Sequence, residues 1–234
     1  MAAALIQEPL TRSVEDYLKA IYHLSLKGEP AGTNDIAHLL ELSPPSVSGM
    51  IKRLAEQGLL THAPYRGAEL TADGRRLALR MVRRHRIIEA YLVQFLAYDW
   101  DTVHEEAERL EHAVSDALIE RMATALGDPR VDPHGDPIPG ADGSIDELVF
   151  VPLPEVKTDS RVVIRRVETS QPERLRYLAT LGLKPGTVLT VVQQQPFNGP
   201  ITIRSGAQEH VIGAELAMSV LCSPAEDENR VRHP

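Results

Sequence analysis

Apolar residues near the start of the chain recur every three to four positions, which predicts two short helices. The first covers residues 13–27, and Ser13 with Asp16 three positions later has the spacing of a capping box. The second is short and begins with Thr33 or Asn34 as its cap. The side chains that we expect to face inward from the second helix are Ile36, Leu39 and Leu40.

A third helix and a hairpin follow. Ser43 can cap this helix, Pro44 suits its first position, and Gly58 ends it. Residues 59–71 then have the pattern of a β-hairpin. This order of elements is typical of a winged helix-turn-helix, and the small, hydroxylated start of the third helix favours that fold over the alternative of a generic small helical bundle. The expected buried stripe of the third helix is Val47, Met50, Ile51 and Leu54.

The rest of the chain divides into a helical part and a β part. A long helix is expected from Ala72 to about Tyr98, then helices at 101–112 and from Ser115 to near Gly127. A loop rich in Pro, Gly and Asp follows at 128–146. The remaining predicted elements are strands at 161–164, 188–192, 201–203 and 210–212 and a helix at 172–181. The predicted fold class is therefore mainly α with a β C-terminal domain, which we expect to be a small SH3-like barrel.

Composition indicates the cellular compartment but does not identify the binding partner. The net charge is -8, yet a DNA-binding protein needs only a local basic surface. Arginines are concentrated between Arg75 and Arg86, where a solvated helix face is the simpler interpretation. The lone Cys222 suits a reducing cytosol, residues 1–13 do not have the pattern of a signal peptide, and no apolar run is long enough to predict a membrane span. We therefore expect a cytoplasmic protein without a membrane partner.

Two neighbouring helices each carry His and Glu side chains on one face. Four of these residues fall within about 100° of arc on the helix at 101–112, at about 100° per residue. Helices that present such faces to each other can build a metal site, although a solvated polar face is the alternative. The residues are His104, Glu108, Glu111 and His112, with His85 and Glu89 on the preceding helix.

Enzymes are the weaker functional class. The string from His104 to Glu108 fails the zinc-peptidase motif H-E-x-x-H, because Glu108 stands where the second histidine must be. The chain also lacks a G-x-S-x-G, P-loop or dinucleotide fingerprint.

Several longer segments resemble the diphtheria toxin repressor family, in particular its manganese-sensing branch, over nearly the whole chain. They are VEDYLKAIY, DIAHLLELSPPSVSGMIKRLAEQGLL, YRGAELTADGRRLA, RRHRIIEAYL, VHEEAERLEHAVSD and HGDPIPG. The resemblance implies a non-enzymatic, metal-dependent transcription regulator with three domains. These are a DNA-binding domain at 1–72, a metal-binding and dimerisation domain at 73–146, and an SH3-like domain with a tail, related to ferrous transport accessory proteins, at 147–234.

The resemblance also implies two metal sites. One would use His85, Glu89 and His104, and the other Asp16, Glu108, Glu111 and His112. Asp16 enters only through the resemblance; its alternative role is to stabilise the start of a helix. Iron-sensing members place methionine and cysteine at positions 16 and 108. Possible C-terminal ligands fall near Gln171 and Arg174, with Glu173 beside them.

One residue departs from the manganese-sensing pattern. Such members often carry a glutamate one turn after the aspartate, where this chain has Lys19, which cannot coordinate a metal while it is protonated. Since the implied donors are oxygen and nitrogen atoms, we still expect Mn(II) as the effector, with Fe(II) second.

We expect a homodimer that binds a near-palindromic double-stranded DNA operator. The helix that begins near Pro44 should enter the major groove. The residues expected at DNA are Ser43, Pro45, Ser46, Ser48, Gly49, Lys52, Arg53 and Arg66. The stripe expected to pack partly across the two-fold axis is Val103, Ala107, Leu110, Val114, Leu118 and Met122.

Three other functions remain open at this stage. A winged-helix regulator could answer to a small organic ligand, which titration of metals against DNA binding would distinguish. A metal-dependent hydrolase would need an open coordination position. A non-enzymatic interaction module centred on the SH3-like domain would be separated by deleting residues 148–234 and testing DNA binding.

Overall fold

The computed structural model describes residues 11–26, 28–63, 67–146, 148–169 and 171–225. The chain forms two compact units. The first contains the described parts of Met1–His85 together with Glu111–Ala113 and Pro139–Ile145. The second contains Arg86–Leu110, Val114–Ile138 and the described parts of Asp146–Pro234.

The first unit is a helix-turn-helix followed by a two-stranded wing, as predicted. Its strands pair antiparallel with Leu60 opposite Leu70. The elements are α1 (Arg12–Ser25), α2 (Thr33–Leu39), α3 (Pro44–Glu56), β1 (Leu60–Ala63), β2 (Gly67–Leu70) and the first half of α4 (Ala72–Leu96). The large core side chains that are almost fully buried include Leu18, Ile21, Ile36, Ile51, Leu54 and Leu59.

Local chemistry fixes the starts of α3 and α4. The Ser43 hydroxyl accepts a hydrogen bond from the Ser46 backbone N–H at 3.4 Å, and Pro44 occupies the first turn of α3, as expected. The Thr71 hydroxyl accepts from the Gly74 N–H at 3.1 Å and so caps α4. A Cβ on Gly74 would lie 1.8 Å from the Leu59 carbonyl oxygen, so glycine is needed where α4 crosses the start of the wing.

The predicted start of α1 is wrong. The helix begins one residue earlier, with Thr11 as its N-cap and no side-chain capping bond. Ser13 and Asp16 therefore lie inside the helix and form no capping box. The Asp16 carboxylate is instead directed at His112, with 2.9 Å between Oδ1 and Nε2.

The predicted inward face of α2 is wrong at one position. Its N-cap is Gly32 rather than Thr33 or Asn34, and Leu39 is 49% exposed. The helix ends at Leu39, and the following Leu40 packs against the core in its place. A helix this short has room for few inward positions, and Ile36 and Leu40 already fill that face.

The second unit begins with the rest of α4, then α5 (Val103–Leu110) and α6 (Asp116–Ala125). Ser115 caps α6, and its hydroxyl accepts from the Leu118 N–H at 3.3 Å. The stripe expected at a dimer interface is divided. Val103 and Ala107 are buried inside the unit, whereas Leu118 is 44% exposed. The half-buried members are Leu110, Val114 and Met122.

The loop predicted at 128–146 contains no helix in the structure. The Asp132 carboxylate accepts hydrogen bonds from the backbone N–H groups of His134 at 2.8 Å and Asp136 at 2.9 Å. Gly135 has φ +88°, and a Cβ there would lie 2.0 Å from the Arg165 carbonyl oxygen. Asp132 thus folds this loop, and Gly135 lets it lie directly against a strand.

The C-terminal part is a six-stranded antiparallel sheet in the order β3-β8-β4-β5-β6-β7. The elements are β3 (Val151–Pro152), a 3₁₀ turn (Leu153–Glu155), β4 (Arg161–Val167), α7 (Pro172–Thr180), β5 (Val188–Gln194), β6 (Ile201–Ser205), β7 (Gln208–Ile212), α8 (Ala214–Met218) and β8 (Val220–Pro224). The predicted SH3-like fold class is confirmed. Sequence analysis missed β3, α8 and β8.

Among the described residues, no helix is both long enough and apolar enough to cross a membrane.

Candidate functional site

Three ligand-type side chains meet in the first unit, supplied by α1 and the segment 111–113. Asp16, Glu111 and His112 each offer an atom, and these atoms all lie within 4.8 Å of one another. His112 Nε2 is 2.9 Å from Asp16 Oδ1 and 3.4 Å from Glu111 Oε1. We call these three residues the α1 cluster. The structure thus brings together three of the four residues expected at one metal site.

The surroundings of the His112 ring show that this cluster suits a cation. Its Nδ1 is 2.8 Å from Glu15 Oε2, and because a carboxylate only accepts, Nδ1 donates to it. Nε2 is buried and faces two further carboxylate oxygens, Asp16 Oδ1 at 2.9 Å and Glu111 Oε1 at 3.4 Å. A bound metal ion would supply positive charge between Nε2 and these oxygens. An imidazole nitrogen and carboxylate oxygens that converge in this way match the donor set of a divalent ion.

Glu111 is fully buried and ionised. Its Oε1 lies 2.6 Å from Lys19 Nζ and its Oε2 lies 2.6 Å from His85 Nδ1. Burial raises the pKa of Glu111, but the hydrogen bond from His85 and the charge of Lys19 outweigh it and hold the pKa below its ordinary value. The carboxylate is therefore already in the form that binds a metal. The expected partnership of His85 with Glu89 and His104 stays a prediction.

A second group lies in the other unit. Glu89, Asp132 and His134 are all buried, and one atom from each lies within 4.8 Å of the others. His134 Nε2 is 2.9 Å from the Trp100 carbonyl oxygen, which only accepts, so Nε2 donates and Nδ1 faces Glu89 Oε2 at 3.8 Å. We call these three residues the loop cluster.

Electrostatics also favour a cation at the loop cluster. Burial and the charges of Asp136 and Glu89 raise the pKa of Asp132 to about 7. Burial lowers the pKa of His134, but its contact with the Glu89 carboxylate and the charges of Glu89 and Asp132 raise it to about 8. In the metal-free protein, protons therefore compensate a surplus of buried carboxylate. A divalent ion could replace them.

His104 adds a neighbouring donor in the same unit. Its Nδ1 is 3.1 Å from Glu89 Oε1, and its Nε2 is 3.8 Å from Glu108 Oε1. The structure thus brings together the predicted ligands Glu89 and His104. The assignment of Glu108 to the site with Asp16 stays a prediction, since these residues belong to different units.

Sequence reasoning missed three residues as site members. Asp132 and His134 lie in an irregular loop without periodicity, and the HGDPIPG string was the available signal for His134. Glu15 could have been suggested only by its position beside Asp16.

The DNA-facing residues expected on α3 are exposed in the structure. The hydroxyls of Ser43 and Ser46 are 2.9 Å apart, and the Ser48 hydroxyl donates to the Pro44 carbonyl at 3.0 Å. The exposed members are Ser43, Pro45, Ser46, Ser48, Gly49, Lys52 and Arg53. Arg66 lies outside the described residues.

The arginine-rich part of α4 is not a solvated face throughout. Arg84 and Arg86 are 8% and 6% exposed. Arg84 Nη1 is 3.8 Å from Glu15 Oε1 in the first unit, and Arg86 Nε is 3.7 Å from Asp132 Oδ2 in the second. These two arginines compensate buried acids beside the two clusters.

Family models match three consecutive parts of the chain. Residues 9–68 match the N-terminal DNA-binding domain of iron-dependent repressors, residues 71–140 match their metal-binding and dimerisation domain, and residues 151–224 match the FeoA domain.

Individual relatives match over most of their length. The chain is 33% identical to the iron-dependent repressor IdeR of Mycobacterium leprae over 223 residues, or 90% of this chain and 96% of that protein. It is 32% identical to the diphtheria toxin repressor of Corynebacterium glutamicum over 227 residues, or 93% of this chain and 98% of that protein.

Solved structures match as well. A manganese-dependent transcriptional repressor in complex with manganese is 38% identical, with a TM-score of 0.84 over 91% of this chain and all of the other. The repressor ScaR with bound Cd²⁺ is 32% identical, with a TM-score of 0.77 over 91% of this chain and 99% of the other.

Proposed function

This chain belongs to the iron-dependent (diphtheria toxin) repressor family of metal-dependent transcription regulators, and on that premise we propose that Mn(II) is its principal effector, with Fe(II) second. The donors of both clusters are carboxylate oxygens and imidazole nitrogens, which suit manganese. A repressor in complex with manganese is among the similar structures. Zinc and cadmium, which bind N/O sites more tightly than manganese, would occupy the same donors in vitro without being the signal.

The observation that carries the proposal is the convergence of the buried His112 Nε2 and the carboxylates of Asp16 and Glu111. A bound divalent ion would supply positive charge and draw the three donors together. Asp16 would then hold α1, and with it the DNA-binding helices, onto the segment 111–113. We propose that this clamp stabilises the DNA-competent arrangement.

The size of the effect follows from linkage. Metal raises DNA affinity only as far as it binds the DNA-competent state more tightly than the other state. A coupling of about 1–3 kcal/mol corresponds to a rise in DNA affinity of roughly 5–150-fold. The loop cluster, with His104 beside it, would be the second site. We expect it to have a milder effect, because its described donors do not involve α1.

We further propose that α3 enters the major groove, with Lys52 and Arg53 at phosphates, and that a homodimer places two such helices on a near-palindromic operator. The exposed face of α3 and the match to the family's dimerisation domain support this.

Because a transcription regulator acts on chromosomal DNA, we expect the protein in the cytoplasm. The comparisons give no support to a regulator that answers to an organic ligand, and the relatives are repressors rather than enzymes.

The test measures DNA affinity as a function of free Mn(II) for the wild type and for Asp16→Ala. We expect the variant to lose the metal response while it keeps its fold and oligomeric state. Asp146→Ala, which removes an exposed carboxylate far along the chain, is the matched control and should respond like the wild type. Indistinguishable curves for the wild type and Asp16→Ala would refute the clamp.

A further inference from the structure

One oxygen of the α1 cluster is already bound to a cationic side chain. Glu111 Oε1, which lies 3.4 Å from His112 Nε2, lies only 2.6 Å from Lys19 Nζ. The side chains of Lys19 and Glu111 are 13% and 0% exposed, so solvent screens this contact weakly. The other carboxylate oxygen is bound by His85 at 2.6 Å. Both oxygens of Glu111 therefore have partners before a metal arrives.

We propose that Lys19 is an internal competitor for the metal at the α1 cluster and that it sets the Mn(II) concentration at which the clamp closes. This inference rests on the proposed function. A divalent ion and the ammonium both require Glu111 Oε1, and two cations a few ångströms apart at a buried site repel each other strongly. Metal binding must therefore move the Lys19 ammonium away from this oxygen, or the repulsion between the two cations lowers the metal affinity.

The same contact stabilises the metal-free protein. A buried carboxylate that loses its cationic partner is strongly destabilising. Lys19 also belongs to α1, so its bond to Glu111 ties that helix to the segment 111–113 in the absence of metal. Lys19 should thus act in opposite directions on two measurable quantities. It raises the stability of the metal-free protein and lowers the affinity for metal.

The test replaces Lys19 with methionine, which keeps an unbranched side chain but removes the charge. Mn(II) affinity is measured by isothermal titration calorimetry, and the melting temperature is measured with and without Mn(II). We expect a lower melting temperature for metal-free Lys19→Met and a rise in Mn(II) affinity of roughly tenfold or more. The Mn(II) concentration needed for DNA binding should fall to match.

Two further variants sharpen the comparison. Lys157→Met removes an exposed lysine and should change neither quantity, which controls for net charge. Lys19→Gln, which has a polar side chain, should reproduce the direction of both changes. It replaces Lys19→Met in the test if the methionine variant does not fold. The gain in affinity should disappear in the double variant Lys19→Met/Asp16→Ala, which assigns the gain to the α1 cluster.

A lower melting temperature with unchanged Mn(II) affinity would show that Lys19 is only structural and would overturn the proposal, and so would no change in either quantity. These outcomes differ from failure of the proposed function. In that case wild-type DNA affinity would not respond to Mn(II), or Asp16→Ala would respond as the wild type does.

Discussion

Glu15 should control metal affinity although it is not a proposed ligand. Its carboxylate accepts from His112 Nδ1 at 2.8 Å and so orients the ring with Nε2 facing Asp16 and Glu111. A hydrogen bond to a charged group contributes about 1.5–3 kcal/mol. At about 1.4 kcal/mol per tenfold change, Glu15→Ala should weaken Mn(II) binding at the α1 cluster by roughly 10–100-fold. Arg84, 3.8 Å from Glu15, would lose this ion-pair partner.

The assay is calorimetric titration of Mn(II), with the melting temperature as a check of folding. Glu15→Gln keeps an acceptor but loses the charge, so its affinity should lie between those of the wild type and Glu15→Ala. Glu29→Gln removes the same charge at an exposed position of the same unit and should bind as the wild type does. If folded Glu15→Ala binds Mn(II) as tightly as the wild type, then Glu15 does not orient His112 for metal binding.

Three further outcomes are expected. Gly74→Ala should destabilise the protein by about 2 kcal/mol or more in urea unfolding, because the added Cβ would meet the Leu59 carbonyl oxygen. Gly49→Ala, where the added Cβ meets open space, should stabilise the protein by about 0.5–1 kcal/mol, and equal effects of the two variants would contradict the close packing of Gly74. Because the pKa of His134 is raised to about 8, Mn(II) binding at the loop cluster must release a proton below that pH. Calorimetry should therefore show Mn(II) affinity rising with pH from about 6 to 8, by up to about tenfold per pH unit, and a flat profile would exclude His134 as a ligand. Leu118→Glu should shift sedimentation from dimer towards monomer, and an unchanged dimer would place the interface elsewhere.

The periodic parts of the fold could be predicted from the sequence. The buried faces of α1 and α3 and the hairpin follow from apolar spacing, glycine and proline, because each pattern matches a single local geometry. The short elements could not. Val151–Pro152 is too brief to show alternation, and β3 exists only because it pairs with β8. The prediction that Leu39 faces the core was wrong, because the end of α2 depends on tertiary packing.

The candidate site was likewise predictable from the sequence only where its residues lie on regular helices. His and Glu spacing on helices pointed to His104 and Glu89, which the structure places 3.1 Å apart. Asp132 and His134 come from a loop whose shape depends on hydrogen bonds between its own residues, so no periodic pattern marks them. The contact of Lys19 with Glu111 joins residues 92 positions apart, and no local pattern could reveal it.

The position of Trp100 has a practical consequence for experiment. It is the single tryptophan of the chain, and its ring is stacked on the ring of His134 with 5.3 Å between centroids. Its indole N–H donates to the Pro133 carbonyl at 2.9 Å, which fixes the ring in place. The chain therefore carries an intrinsic fluorophore in contact with one proposed ligand. Its emission should change when the charge of His134 changes, so an unlabelled fluorescence titration would follow the loop cluster separately from total metal uptake.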